Sequence, residues 1–413
     1  MRILKFGGTS VADPPSLGRA ARIVTQAAAT ERVVVVASAQ AGVTDALVAA
    51  ADRGETRNLV ASLEQRHLAC LQALGGPAVA RAAQAVKPWL GRLADLLAQQ
   101  PAPEARPAWR DAVLATGERL SVPVVAAALG TAGLPAVACD AAGLVVTDES
   151  FGEAAVDHRA TAHRMARWLA RIPPGVVPVV TGFVGGTPDG RTTTLGRGGS
   201  DYSAAVLGAA GKASRIEIWT DVPGVMSAPP RTVPDAVPLP ALTFAVAREV
   251  AELGGKVIHP RTMEPAERAG VPITVRNTFE PEQPGTTIGG PTSKARRALI
   301  VTGVEEGAAV ERVLACLPTP AGVPDLCVVG VVGHGVGTRR AAVARHAALL
   351  ARLRIPAVAV LASPSGHALL SLHRRFHLRR VIARLHDALV LGCFPAREQL
   401  GAVPVATAAE VRP

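Results

Sequence analysis

Within five consecutive residues, Arg197-Gly198-Gly199-Ser200-Asp201, the chain sets a guanidinium, two glycines, a hydroxyl and a carboxylate. They lie between the β-prone run Arg191–Leu195 and an alanine-rich stretch of helical character that begins near Tyr202. A strand that breaks at glycines and re-enters as a helix presents unpaired backbone N–H groups to an anion. Arg197 adds a planar fork that suits a carboxylate or phosphate, and Asp201 can orient a cation or ammonium beside it. A plain connecting loop accounts for the glycines but not for the polar groups crowded among them. The segment reads as a binding loop.

A second constellation opens the chain: Lys5-Phe6-Gly7-Gly8-Thr9-Ser10 follows a short apolar strand. The glycines let backbone approach a ligand before hydroxyl residues open the next element. It is not a P-loop, because the lysine precedes the glycines. Lysine usage sharpens the reading. The sequence has five lysines (Lys5, Lys87, Lys212, Lys256, Lys294) against 39 arginines, so a surviving lysine marks a place for a compact, swivelling ammonium. Lys87, Lys212 and Lys294 read as surface survivors. Lys5 and Lys256 sit beside glycine pairs, and there the functional reading prevails.

The elements that must position these groups are legible as β-branched runs alternating with Ala/Leu-rich stretches through the first 290 residues. Strands are expected at Ile3–Phe6, Val33–Ala37, Ala136–Cys139, Val176–Thr181, Ile216–Thr220 and Ile273–Arg276. Several are continuous apolar runs, as in parallel strands covered on both faces. That pattern predicts an α/β sandwich with ligands at the carboxyl ends of its strands. Leu59 to Leu97 reads as long helices. A Pro/Gly-dense break falls at Glu280–Pro291, dividing a domain of residues 1–290 from one of 291–413. In the second, a β-α-β-β-α order is expected: strand Leu326–Val332, helix Ala341 to Leu353, strands Ala357–Leu361 and Ala368–Leu372, helix Leu378 to Leu389. The glycine-rich Val328–Thr338 lacks G-x-G-x-x-G spacing and an acidic ribose partner, which excludes a dehydrogenase reading.

Three motifs in order, Lys5-Phe6-Gly7-Gly8-Thr9-Ser10, Thr116-Gly117-Glu118-Arg119-Leu120-Ser121 and Gly196-Arg197-Gly198-Gly199-Ser200-Asp201-Tyr202, resemble the aspartokinase family within the amino-acid kinase superfamily. Ile218-Trp219-Thr220-Asp221-Val222-Pro223-Gly224-Val225, Leu253–Pro260 and Val275-Arg276-Asn277-Thr278 continue the resemblance, which spans residues 1 to about 290. It implies an amino-acid kinase (carbamate-kinase-like) three-layer α/β sandwich with a mostly parallel sheet, followed by a small α+β ACT-like domain. It further implies transfer of phosphate from ATP, assisted by Mg2+, to the side-chain carboxylate of L-aspartate, the first step of the aspartate-derived amino-acid pathway (lysine and threonine biosynthesis). Lys5, Arg197 and Asp201 would be catalytic. Ser38, Thr44, Glu118, Arg197, Gly198, Gly199 and Ser200 would hold the substrate, with Arg197 on its α-carboxylate and Glu118 on its α-ammonium. Lys5, Gly7, Gly8, Thr9, Thr220, Asp221, Met226, Arg231 and Lys256 would surround the nucleotide. No residue is assigned as a metal ligand. Met226-Ser227-Ala228-Pro229-Pro230-Arg231 departs from the family's aromatic-then-Asp-Pro-Arg, which implies altered ATP affinity rather than lost activity. Alternatives are an amino-acid kinase for another carboxylate, and a non-catalytic amino-acid-sensing subunit.

Composition bounds these readings. Aromatics are 3% of a chain that is 49% hydrophobic, so the cores must be built from Ala, Val and Leu. No uninterrupted apolar run long enough for a membrane span and no signal-peptide layout appear. The five cysteines (Cys70, Cys139, Cys316, Cys327, Cys393) form no CxxC pair, arguing against zinc and a disulfide framework and for a cytoplasmic location. The net charge of +11 concentrates after residue 295, with fifteen arginines against seven acidic residues. The densest run, His373–Arg380, lacks interleaved stacking aromatics, so a solvated basic helix is expected rather than a nucleic-acid surface. The thirty residues Ala295–Pro324 are too short for the first of the family's usual two ACT modules, and Pro318, Pro320 and Pro324 are expected to break regular elements there. The remaining module is expected to form a homo-oligomer surface.

Overall fold

The computed structural model describes residues 1–255, 258–290, 298–306, 308–315, 325–339 and 341–391. It contains two compact units, Met1–Gly224 with Ile258–Gly289, and Val225–Val257 with Gly290–Pro413.

In the first unit the strands lie in the order Ala136–Cys139, Val177–Thr181, Val33–Ala37, Arg2–Phe6, Arg215–Thr220, Ile273–Asn277, Thr286–Ile288. All neighbours pair in parallel except the last two, which are antiparallel. All five residues of Val33–Ala37 are buried, as a β-branched run covered on both faces requires. Leu4, Phe6, Val33 and Val35 share one core cluster with helices Pro14–Ala28 and Thr116–Thr131. On the opposite face Gly208 of helix Gly199–Ala210 lies against Ile3 and Ile216. Two helical layers thus enclose a mostly parallel sheet, and the six expected strands all form. Leu59–Leu74 and Ala78–Leu97 are helices, as the sequence indicates. One helical run, Arg106–Thr131, is apolar and long enough to cross a membrane, but most of it is buried inside this unit.

The second unit carries an antiparallel four-stranded sheet in the order Leu299–Val304, Leu326–Gly333, Ala368–Arg374, Ala359–Ala362. Helices Ala342–Arg352 and Leu378–Leu389 supply Leu349, Leu350, Val381, Ile382 and Leu385 to its core. The expected β-α-β-β-α order is present. The expectation for Ala295–Pro324 needs correction: strand Leu299–Val304 and helix Ala308–Ala315 form within it. Pairing with Leu326–Gly333 gives the strand its partner, and the prolines all follow the helix. Ala228 and Val233 join this unit's core, so residues after Gly224 that read as a kinase segment belong to it by contact.

Candidate active site

Four segments of the first unit end at one cavity of about 570 Å³. Each has a local reason to end there. Lys5 rides on the central strand Arg2–Phe6 and reaches the carboxyl end of the sheet. Ser38 follows strand Val33–Ala37, and Thr44 opens helix Val43–Arg53. Glu118 occupies the first turn of Thr116–Thr131. Arg197 precedes helix Gly199–Ala210, whose N-cap, Gly198, adopts φ 67. A side chain at that glycine would come within 2.9 Å of His259 Cβ, so both conformation and space require its absence.

Lys5, Gly8, Ser38, Thr44, Glu118, Arg197, Gly198, Gly199, Ser200 and Asp201 all line the cavity. The residues that the sequence singled out for catalysis and substrate binding are therefore brought together. Lys5 Nζ lies 2.6 Å from Asp201 Oδ1, an ion pair that aims the ammonium. Arg197 is exposed, and among the described residues it has no hydrogen-bond or ion-pair partner. Glu118 is 3% exposed. Its Oε1 accepts from Ala39 N at 3.2 Å, while Oε2 is buried with no partner. Burial pushes its carboxyl up to about 8, against smaller opposing contributions from the Ala39 amide and Lys5. A carboxyl so placed gains most from a cationic guest.

The nucleotide set divides. Gly7 donates to Trp219 O at 3.1 Å, joining the glycine turn to the end of strand Arg215–Thr220. A Cβ at Gly8 would stand 2.9 Å from Ala39 O and 3.2 Å from Ala41 N, so only glycine lets the turn pack against that backbone. Thr220 and Asp221 follow at that strand's carboxyl end, linked by a 3.2 Å hydrogen bond, and do not line the cavity. Thr9 is exposed in a short turn and also lies outside the lining. Met226 and Arg231 belong to the second unit, and Lys256 falls outside the described residues. Among the described residues no group of three His, Cys, Asp or Glu forms a metal-ion cage.

Sequence reasoning missed several lining residues: Gln40, Asp45, Arg110, Glu153, Phe183 and Thr194. Gln40 accepts from Arg66 Nε at 3.2 Å, and Arg110 forms a forked pair with Asp52 at 2.7 and 2.8 Å. Phe183 holds φ 63, a conformation that a bulky residue occupies only when its surroundings fix it. Here the Phe183 amide donates to Ser203 Oγ at 2.9 Å. The signal available in the sequence was Thr181-Gly182-Phe183 at the end of an apolar strand.

Residues 1–277 match the model of the amino acid kinase family, and the chain belongs to that family. Within it the likeness runs to aspartokinases. Lysine-sensitive aspartokinase 3 of Escherichia coli (strain K12) is 38% identical over 290 residues, 69% of this chain and 63% of that protein. A bifunctional aspartokinase/homoserine dehydrogenase 1 of Zea mays is 34% identical over 292 residues, 69% of this chain and 32% of that protein. The matched region thus spans less than two thirds of either relative. Among solved structures, E. coli aspartokinase III in complex with aspartate and ADP superposes with a TM-score of 0.77 at 29% identity, covering 94% of this chain and 99% of that one.

Proposed function

We propose that the protein is an aspartate kinase, converting ATP and L-aspartate to ADP and 4-phospho-L-aspartate. The observation that carries this reading is the pairing, in one cavity, of a buried carboxyl oxygen without a partner (Glu118 Oε2) and a partnerless guanidinium (Arg197). An α-amino acid presents the complementary charges, ammonium to the first and carboxylate to the second. Ser38, Thr44 and Ser200 add neutral hydrogen bonds, and the Gly198–Gly199 turn lets the guest approach backbone.

The side-chain carboxylate of the bound amino acid attacks the γ-phosphorus as the bond to the ADP oxygen breaks. Phosphoryl transfer asks the protein mainly for positioning and neutralisation of charge. Lys5, aimed by Asp201, supplies a point charge for the transferring group. Gly7, Gly8, Thr9, Thr220 and Asp221 are assigned toward ATP, with Met226, Arg231 and Lys256 retained by family resemblance alone. Mg2+ is expected to arrive on the phosphates, where Asp201 offers a carboxylate oxygen; it commonly keeps several waters and needs only one or two protein carboxylates. When bound it would neutralise phosphate charge.

Support from relatives is direct in kind: the E. coli structure above holds aspartate and ADP. A homo-oligomer, with the second unit contributing its surface, and a cytoplasmic location belong to the same reading. An ADP-release assay with L-aspartate tests it, run beside L-glutamate and other carboxylates. Turnover with a different carboxylate alone would reassign the substrate, and no turnover with any would favour the sensing-subunit alternative.

A further inference from the structure

One buried carboxylate outside the sets above ties together three walls of the cavity. Asp111 lies on helix Arg106–Leu114, 1% exposed, between the lining residues Arg110 and Leu114. Its Oδ2 accepts from Gly152 N at 2.9 Å and Thr194 N at 2.7 Å. Its Oδ1 accepts from Thr194 Oγ1 at 2.9 Å. The donors come from two segments far apart in sequence, and each segment delivers lining residues: Gly152 and Glu153 from one, Thr194, Gly196 and Arg197 from the other.

We propose that Asp111 is the positioning residue of the substrate pocket, fixing the approach of Arg197 to the substrate carboxylate through its hold on Thr194 and Gly152. The proposal rests on the reading of this cavity as the aspartate site. Strand Thr192–Thr194 ends two residues before Gly196, whose φ of 75 starts the turn into Arg197. A shift at Thr194 therefore passes directly into the guanidinium's origin. The Ala154 amide donates to Thr194 O at 3.0 Å, so the two segments move as a pair once tied. Burial raises the Asp111 carboxyl above its ordinary range despite its three donors. A buried acid with satisfied donors is also what simple scaffolding uses. What separates the two roles is which kinetic constant responds.

Asp111→Ala should raise KM for aspartate about 10-fold or more, with KM for ATP changed less than about twofold, because misplacement of a substrate grip acts on that substrate. Thr194→Val removes only the hydroxyl donor and should raise the same constant about threefold, with Tm lowered by a few degrees at most as Asp111 Oδ1 loses its donor. It carries the test if the alanine variant does not fold. Arg197→Ala run alongside distinguishes the two possible failures. If Arg197→Ala raises KM for aspartate while Thr194→Val and Asp111→Ala leave it alone, the positioning role is wrong. It is equally wrong if they damage both KM values together with Tm. If Arg197→Ala leaves KM for aspartate untouched, the reading of the cavity fails and this inference falls with it.

Discussion

Two buried polar side chains, Glu118 in the first unit and His346 in the second, are left without full partners in contrasting settings. In the first, Lys5, Glu118 and Asp201 are gathered at an open cavity, and Glu118 Oε2, left unmatched, lines a place where a guest can match it. In the second, His346 is fully buried within the unit, and neither ring nitrogen has a partner. Its neighbours there, Leu349 and Leu350 of the same helix, belong to the unit's apolar core. Unmet polarity at a cavity can be met by a guest, whereas unmet polarity in a core is a cost to stability. The contrast follows the proposed division between a unit that does chemistry and a unit that supports it.

The largest effect expected of this contrast is at Lys5. Lys5→Ala should lower kcat about 100-fold or more, the scale of losing about 3–4 kcal/mol of preorganised charge at the transferring group. Lys5→Arg should not rescue it, because Lys5 stands close to Gly7 and Asp201 and a planar fork cannot replace a point charge there. Near-normal kcat in Lys5→Arg, measured with Tm held within a few degrees, would remove Lys5 from the reaction.

Next in size is the split between substrates. Arg197→Ala should raise KM for aspartate about 10-fold or more while sparing KM for ATP, since a partnerless guanidinium serves one guest. Glu118→Gln should do likewise and should also flatten the pH response. With its carboxyl raised to about 8, Glu118 is largely protonated at neutral pH in the free protein. KM for aspartate should therefore fall as pH rises from 6 toward 8, because the ionised form is the one that binds an ammonium. An unchanged slope in Glu118→Gln would assign the titration elsewhere.

How far the sequence carries this picture depends on whether a residue's role is local. Lys5, Glu118 and Arg197 were legible because each sits in a short motif whose glycines and charges have a shared chemical purpose. The parallel strands were legible because burial on both faces leaves an uninterrupted β-branched run, as in Val33–Ala37. Asp111 was not legible: its three donors lie 41 and 83 residues away, and only the fold brings them to it. Phe183 was hidden for a similar reason, since its left-handed backbone is held by a hydrogen bond to the Ser203 hydroxyl, 20 residues further on. Strand Leu299–Val304 was lost behind the prolines that follow it, because a strand is stabilised by its neighbour and not by its own residues alone.

A third measurement uses the opposite pH slopes of two groups, Glu118 in the first unit and His346 in the second. Glu118 binds more protons folded than unfolded between its ordinary value of 4.5 and about 8, so its contribution weakens as pH rises through that window. His346 does the reverse. Burial holds it down to about 4 from 6.5, so the unfolded chain binds the extra proton and stability is lost as pH falls through that interval. The four tryptophans, Trp89, Trp109, Trp168 and Trp219, all lie in the first unit. Tryptophan fluorescence therefore follows that unit, while far-UV circular dichroism follows both. On acidification from pH 6.5 to 5, a loss by dichroism should precede loss of the fluorescence transition. His346→Leu should raise stability by about 1 kcal/mol at neutral pH, the scale of removing an unmatched buried polar group, and should delay the acid transition. Simultaneous transitions unaffected by His346→Leu would erase the contrast between the units.

The smallest expected effect concerns control, and here the comparison is tested by the absence of a response. Feedback requires an effector that prefers one of two global states and a site that expresses the preference. In resembling enzymes such sites form where ACT modules pair, within a chain or across subunits. Among the described residues the second unit holds one four-stranded sheet, completed by Leu299–Val304, in place of two modules. The segment expected in place of a first module instead supplies an edge to the only sheet described there, and that sheet's apolar side is filled by its own helices. Lysine and threonine are therefore expected to change the initial rate less than about twofold at millimolar concentration, alone or together, below the usual range of allosteric coupling. The rate should be measured at sub-saturating aspartate, where a shift in affinity is most visible. Strong cooperative inhibition by either amino acid would show that the second unit binds effectors, and the division between a chemical first unit and a supporting second one would no longer stand.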